Sequence, residues 1–395
     1  MFNSTLCLPR YRQGSIVNLM SSLLAGVGGI PDEDYPPLPR LPAQRIAAHR
    51  NVVLIVVDGL GDRWLATQAD ARWLNAHRQE AITSVFPSTT ATAITTYLTG
   101  QAPQQHGLTG WHVYLRELAA VMSVLPGRAR YGGVPYSPAG VDARALFGHT
   151  SVFERCGVET CMVSPRRIAS SDFTLAHAGP ARIFPYDNLD GMQAAIEKAA
   201  RGWFWGKARR FIYAYWPDLD SLGHRFGMHS DQAATALLAI DRTLQSLADR
   251  LSGSDTLLVV CADHGQIDSP PQRNLDLDNH PELHRMLALP LCGEPRVAYA
   301  YVRAHCGADF EQYVESELGQ CAQLKRSEEL VNSAWFGLGQ PNPELHSRIG
   351  DYTLLLRENY TLRDWLPQEK RYTQIGTHGG LTEDEMLVPL IVAEV

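Results

Sequence analysis

The chain has 395 residues, 45% hydrophobic and 19% charged, enough for a large globular body that one α/β core with an insertion would account for. A net charge of −7 gives no support for wholesale binding to nucleic acid or to an acidic membrane surface. The seven cysteines, Cys7, Cys156, Cys161, Cys261, Cys292, Cys306 and Cys321, are odd in number and scattered, which excludes a disulfide framework and leaves reduced thiols as the expectation.

In chain order, Ser15 is a plausible N-cap for an amphipathic helix over residues 16–25. A secretory signal would carry its charge earlier than Arg10 and Arg12 and would not interrupt its apolar run with Asn18 and paired serines. The helix is therefore expected to pack on the body. No segment reaches the ~20 apolar residues of a transmembrane helix. The expected location is the cytoplasm, with export as the alternative if this stretch acts as a signal. Residues 30–42, rich in proline and acid, read as a linker or surface wrap, so that 1–45 form an N-terminal helix and linker on the core.

Between Asn51 and Asp58 runs the continuous apolar, mostly β-branched stretch Val-Val-Leu-Ile-Val-Val, the mark of a strand buried on both faces of a parallel sheet. Similar runs recur at 211–216, 256–261 and 389–393, with a helical pattern over 231–251 between them. This predicts an α/β fold: a mostly parallel central sheet with helices on both faces. Between residues 284 and 346 the pattern changes to an edge or antiparallel strand at 296–302, a helical stretch at 309–318 and a polar segment. The expected organisation is a core over 46–284, an inserted α+β cap over 285–345 that lines the substrate entrance, and a resumed core over 346–395.

Four strand ends or turns carry possible metal ligands, where open parallel sheets bind their ligands. Asp58 closes the first strand ahead of Gly59. Asp220 and His224 follow the strand at 211–216 and, four residues apart, share one side of a helical turn. Asp263 and His264 follow the strand at 256–261, and Gly265 permits the turn they need. His378 lies among glycines just before the last strand. Each alone is more often a turn former, a cap or an ordinary histidine; their conjunction is what points to a metal site. Oxygen and imidazole donors together favour zinc over magnesium or calcium.

Residues 85–100 cluster hydroxyl side chains at the start of a helix beginning near Thr90 or Ala91. Such a helix start is a ready phosphate site. Ser88, Thr89 or Thr90 could simply cap it; a threonine nucleophile would need activation, which metal coordination provides.

These pieces, with Phe86-Pro-Ser-Thr-Thr90, Leu98-Thr-Gly100, His106-Gly107 and Asp220-Ser-Leu-Gly-His224, occur in the order found in the alkaline phosphatase superfamily. Within it the chain resembles the nucleotide pyrophosphatase/phosphodiesterase branch. The resemblance implies two divalent ions, expected to be zinc, one held by Asp220, His224 and His378. The other would be held by Asp58, Asp263, His264 and the hydroxyl of Thr90, with Thr90 as nucleophile and Thr89 as its fallback. It further implies a hydrolase of small phosphoester or phosphoanhydride substrates that acts through a phosphothreonine. Three carboxylates against two divalent ions leave about +1, which suits a phosphate anion.

The chain departs from the branch near the substrate. Gly110-Trp111-His112 stands where those enzymes place an asparagine that donates to a phosphoryl oxygen; His112 could replace that donor, and Trp111 offers an apolar surface to an ester substituent or base. Residues 87–99 contain no lysine or arginine, so an aryl phosphodiester is expected to be preferred to the monoester, unless Arg225, Arg166 or Arg167 folds into the site. A phosphonate hydrolase or phosphomonoesterase on the same core is the alternative enzyme, and a non-catalytic metal-stabilised binding protein the alternative of another class. No Cys-x-Pro-x-Arg or Ser-x-Pro-x-Arg segment of a sulfatase stands at the nucleophile, over residues 85–100. An insertion after Asp263-His264 argues against a cofactor-independent phosphoglycerate mutase. The oligomeric state is not specified by the sequence.

Overall fold

The computed structural model describes residues 6–201 and 208–395. Its main sheet has seven strands in the order β2 (Arg78–Thr83), β18 (Leu387–Glu394), β9 (Thr256–Cys261), β1 (Asn51–Val57), β8 (Arg210–Trp216), β6 (Glu159–Pro165) and β7 (Arg182–Tyr186). From β9 to β7 all neighbours are parallel. Every residue of β1 and β9 is buried, as the unbroken apolar runs require of strands covered on both faces. The last strand, β18, is just as apolar but runs antiparallel to both β9 and β2. The mostly parallel sheet expected from the sequence is observed, and the exception is a strand whose burial pattern carries no directional information.

The helix Asp231–Leu251 packs against the sheet through Leu237, Ile240, Leu244 and Leu247. The helix Ile16–Gly26 starts at Ser15, where Asn18 completes a capping box, and is buried along nearly its whole length. The segment that follows is pinned by Tyr35, Leu38 and Leu41, all fully buried. The cysteines are free thiols. Among the described residues no helix is long and apolar enough to cross a membrane.

A second seven-stranded sheet, antiparallel throughout, has the order β14 (Ala322–Arg326), β15 (Tyr352–Leu356), β13 (Val297–Ala300), β12 (Cys292–Gly293), β3 (His112–Leu115), β4 (Ala120–Ser123) and β5 (Arg128–Ala129). It therefore draws strands from both sides of the segment 285–345 expected to form the cap. The segment at 296–302 supplies β13, which lies inside this sheet and not at an edge. Alternate residues of β13 and β15 face two apolar clusters: Ala298, Ala300 and Leu354 pack with Phe310, while Val297, Tyr299 and Leu355 pack with Phe86 and Phe336. Two short pairs complete the strands: β10 (Ile267–Asp268) with β17 (Gly376–Thr377), and β11 (Asn274–Asp276) with β16 (Thr361–Arg363).

The two sheets are tied together by a buried ion pair. Arg296, just before β13, donates to both carboxylate oxygens of Glu385, each at 3.0 Å, and Glu385 lies two residues before β18. The same guanidinium donates to the carbonyls of Tyr360 and Glu358. Removing one partner strands the other charge away from water. Arg296→Ala is expected to cost about 3–5 kcal/mol in chemical denaturation; a loss below about 1 kcal/mol, typical of an exposed pair, would contradict this role.

Candidate metal centre

Because β8, β1 and β9 are neighbours and parallel, the residues that follow them meet at one edge of the sheet. Asp58 directly follows β1, its N–H bonded to the carbonyl of Trp216 at the end of β8. Asp220 and His224 lie on the helix Asp218–Phe226, and their side chains meet at 3.2 Å. Asp263 and His264 follow β9. His378 arrives from the far end of the chain just after β17, which pairs with β10 immediately beyond Gly265. Its ring stacks on that of His264, with centroids 3.7 Å apart. Gly265 has no room for a side chain, since a Cβ there would lie 2.0 Å from the Asp384 carbonyl.

Thr90 is the first residue of the helix Thr90–Thr99, and its Oγ1 lies 3.1 Å from Nε2 of His264. That nitrogen is 3.5 Å from a carboxylate oxygen of Asp58 and 3.5 Å from one of Asp263. On the other side His378 Nε2 is 3.8 Å from Asp220, which also meets His224. The seven residues singled out in the sequence thus converge as two adjoining sets, with His264 and His378 back to back between them. The Nδ1 atoms of His224, His264 and His378 face the carbonyls of Gly376, Gly265 and Ser88, at 2.8, 3.0 and 3.3 Å. Hydrogen bonds of this kind put the ring proton on Nδ1 and leave the Nε2 lone pair facing the site.

Asp58, Asp263 and Asp220 are 2%, 0% and 9% exposed, far too buried for three carboxylates that lack a cationic side chain between them. Oδ1 of Asp58 and Oδ2 of Asp263 are buried with no hydrogen-bond partner. Burial, then the neighbouring carboxylates Asp263 and Asp220, pushes the Asp58 carboxyl well above its usual range, and burial also raises Asp263. Burial acts in the same sense on Asp220 but is outweighed by His224, His378 and His264, which hold it below. Orphaned carboxylate oxygens beside free imidazole nitrogens are the donor set of a divalent transition ion, and the residues fit two of them.

The centre opens into a cavity of about 610 Å³. Trp111, 37% exposed, and His112 line it. His112 Nδ1 lies 3.3 Å from the Ser123 hydroxyl, and burial with the charge of Arg130 lowers its pKa to about 3, so the ring is neutral at physiological pH. Arg225, Arg166 and Arg167 do not line the cavity: Arg225 stacks on Phe226, and the other two face Asp187 and Asp218. Cations nevertheless reach it, as Arg128 from β5 and as Arg363 and Lys370 from the segment beyond β15. Arg130 is neutralised by Glu369. The expectation that the phosphate pocket lacks lysine or arginine holds for residues 87–99 and fails for the cavity, because its wall is built by segments distant in sequence. Of the expected cap, residues 291–295 and Ala298 line the cavity.

Glu294, in the turn between β12 and β13, escaped the sequence reading. It is buried, lines the cavity and accepts hydrogen bonds from the Thr89 hydroxyl and the Trp111 N–H. Its only trace in the sequence is an acidic residue in the short turn Gly293-Glu-Pro-Arg296 between two apolar runs. The contact also separates the two threonines: Thr89 is committed to Glu294, whereas Thr90 faces His264.

The sequence matches the model of a family described as type I phosphodiesterase / nucleotide pyrophosphatase over residues 52–381. No curated protein matches it. Among solved structures, murine ectonucleotide pyrophosphatase/phosphodiesterase 5 is similar with a TM-score of 0.66 at 16% identity, covering 86% of this chain and 87% of that one. Phosphonoacetate hydrolase from Sinorhizobium meliloti, in complex with phosphonoformate, gives 0.63 at 18% identity, covering 87% and 90%. At these identities the likeness shows a shared fold.

Protein purified without chelator is expected to carry about two divalent equivalents per chain, and His224→Ala about one, since only the Asp220 set loses a donor. Elemental analysis decides; a metal content near zero in the unaltered protein would remove the metal reading.

Proposed function

The chain belongs to the type I phosphodiesterase / nucleotide pyrophosphatase family, whose members hydrolyse phosphoric esters, and we propose that it does so at the Asp58–Asp220–Asp263 centre with Thr90 as nucleophile. One observation carries this reading: the Thr90 hydroxyl lies 3.1 Å from His264 Nε2, beside two buried carboxylate oxygens without partners. Asp58, Asp263, His264 and Thr90 would hold one divalent ion and Asp220, His224 and His378 the other, with zinc the ion that the mixed oxygen and nitrogen donors suit best. When bound, the two ions supply the positive charge that eases loss of the threonine proton and balances the phosphoryl oxygens.

The chain's own residues do the rest. The helix Thr90–Thr99 directs its first N–H groups toward the place a phosphate would occupy and carries Thr90 at that end. Oγ1 of Thr90 attacks phosphorus in line, the bond to the leaving oxygen breaks, and the phosphoryl group rests on Thr90. Attack by water then breaks the bond between phosphorus and Oγ1, restoring the hydroxyl and releasing the phosphoryl product. Trp111 offers the leaving group or base an apolar face at the cavity mouth.

The wall of Arg128, Arg363 and Lys370 removes the ground for expecting a simple diester to be preferred over a monoester. It supports substrates that carry a second anionic group beside the reacting phosphorus. A nucleotide phosphoanhydride fits this description, in keeping with the family, and an inactive murine relative of similar fold was solved with AMP. A carboxyl-bearing phosphonate fits it too, and the similar fold of phosphonoacetate hydrolase keeps that as the second reading. Oligomeric state and cellular location do not enter either reading.

Thr90→Ala is expected to lower kcat at least ~10³-fold while retaining both metal equivalents, since six of the seven donors remain. Near-normal turnover in that variant, with loss in Thr89→Ala, would move the nucleophile to Thr89. Arg128→Ala is expected to raise KM about 3–10-fold for a nucleotide sugar and to leave that for an aryl phosphodiester with no second charge unchanged. Equal effects on both substrates would count against recognition of a second anion.

A further inference from the structure

We propose that Glu294 is a positioning residue for catalysis: it clamps the loop that carries the nucleophile to the wall of the substrate cavity, and so sets where the Thr90 hydroxyl stands. The inference rests on Thr90 being the nucleophile.

The geometry is specific. One carboxylate oxygen of Glu294 accepts from the Thr89 hydroxyl at 2.6 Å and from the Trp111 N–H at 2.7 Å. Thr89 is the N-cap residue of the helix Thr90–Thr99, with extended backbone angles (φ −140°, ψ 151°). A threonine there ordinarily turns its hydroxyl onto a free N–H of the first helical turn. Here it makes no such bond, and the hydroxyl is diverted to an acid 205 residues further along the chain. The diversion leaves the helix start unobstructed by its own cap, on the residue immediately before Thr90.

The surroundings bring Glu294 close. A Cβ on Gly110 would lie 2.6 Å from the backbone of Gly293, so only a glycine lets the loop that carries Trp111 approach the β12–β13 turn. Gly379, at φ 111° and next to His378, leaves room for the Glu294 side chain, which a Cβ there would meet at 2.9 Å. Three segments distant in sequence, around residues 89, 111 and 294, thus close on one buried oxygen. Burial raises the Glu294 carboxyl to about 7 despite the hydrogen bonds from Thr89 and Trp111. A protonated carboxyl keeps a carbonyl acceptor, so the clamp requires an acceptor oxygen and not a charge.

The test is steady-state kinetics on an aryl phosphodiester with zinc-loaded enzyme, comparing Glu294→Gln, Glu294→Ala, Thr89→Val, the Glu294→Ala/Thr89→Val double variant and Thr90→Ala. Glutamine keeps the acceptor and should hold kcat within about 3-fold, with an unchanged pH profile. Alanine should lower kcat about 10–100-fold with KM within about 3-fold and metal content intact, as displacement of a reacting group does. Thr89→Val should lower kcat too, and the double variant should be no slower than Glu294→Ala, because both remove one interaction.

Glutamine as slow as alanine would overturn the inference in favour of a role for charge. Full multiplicativity in the double variant would break the link to Thr89, and normal kcat in Glu294→Ala would dismiss the role. Should Glu294→Ala fail to fold, Glu294→Gln and Thr89→Val decide: retained kcat in the first with a loss in the second supports the clamp, and any other pattern rejects it. An active Thr90→Ala would instead defeat the nucleophile reading, whatever Glu294 does.

Discussion

Three aspartates, Asp58, Asp220 and Asp263, end up side by side at the edge of one sheet, nearly sealed from water, and two of them present oxygens that no donor meets. Buried carboxylates in this state are tolerable only if protonated or paired with positive charge. Among the described residues no lysine or arginine stands between them. The protein supplies three imidazoles, each anchored at Nδ1 to a backbone carbonyl so that Nε2 faces inward. The rest of the proposed site follows from this: a cluster with surplus negative charge and inward-facing nitrogens could be completed by divalent cations, and Thr90 sits where their field would act on its hydroxyl.

The sheet creates the constraint and also bears its cost. Strands β8, β1 and β9 run parallel and almost wholly buried, so the rigid ends of β1 and β9 and the helix that follows β8 hold the aspartates side by side. His378 closes the ring from a segment almost a third of the chain away, brought in by the short β10–β17 pairing. The antiparallel second sheet contributes no metal donor. It contributes the cavity wall, the aromatic surface of Trp111, the Arg128 charge and the Glu294 turn, and the Arg296–Glu385 pair locks it to the main sheet.

Much of this was legible because the chemistry is local. An aspartate after a buried strand, an Asp/His pair at helical spacing and an Asp-His-Gly turn each place their donors within a few residues, and the structure brings all seven selected residues together. Strands β1, β8 and β9 announce themselves by their near-continuous apolar runs. What was not legible depends on long-range pairing. Strand β18 has the composition of a parallel core strand, and only its hydrogen-bond partners reveal its reversal. The strands β3, β4 and β5 are two to four residues long with mixed burial, too short for a periodic signal. The pairing of β3 with β12 carries the second sheet across the limit drawn at 285, and that of β15 with β13 and β14 carries it across 345. Glu294 and Arg128 reach the site through the second sheet, and Arg363 and Lys370 through β16 and the segment after it, so the electrostatics of the cavity could not be read from residues near Thr90.

The central claim is that these four strand ends build two metal positions around one threonine hydroxyl. Anomalous diffraction from zinc-loaded crystals, collected on both sides of the zinc absorption edge, tests it most directly. The account predicts two peaks about 4 Å apart, one bounded by Asp58, Asp263, His264 and Thr90, the other by Asp220, His224 and His378. A single peak, or peaks away from these side chains, would contradict it.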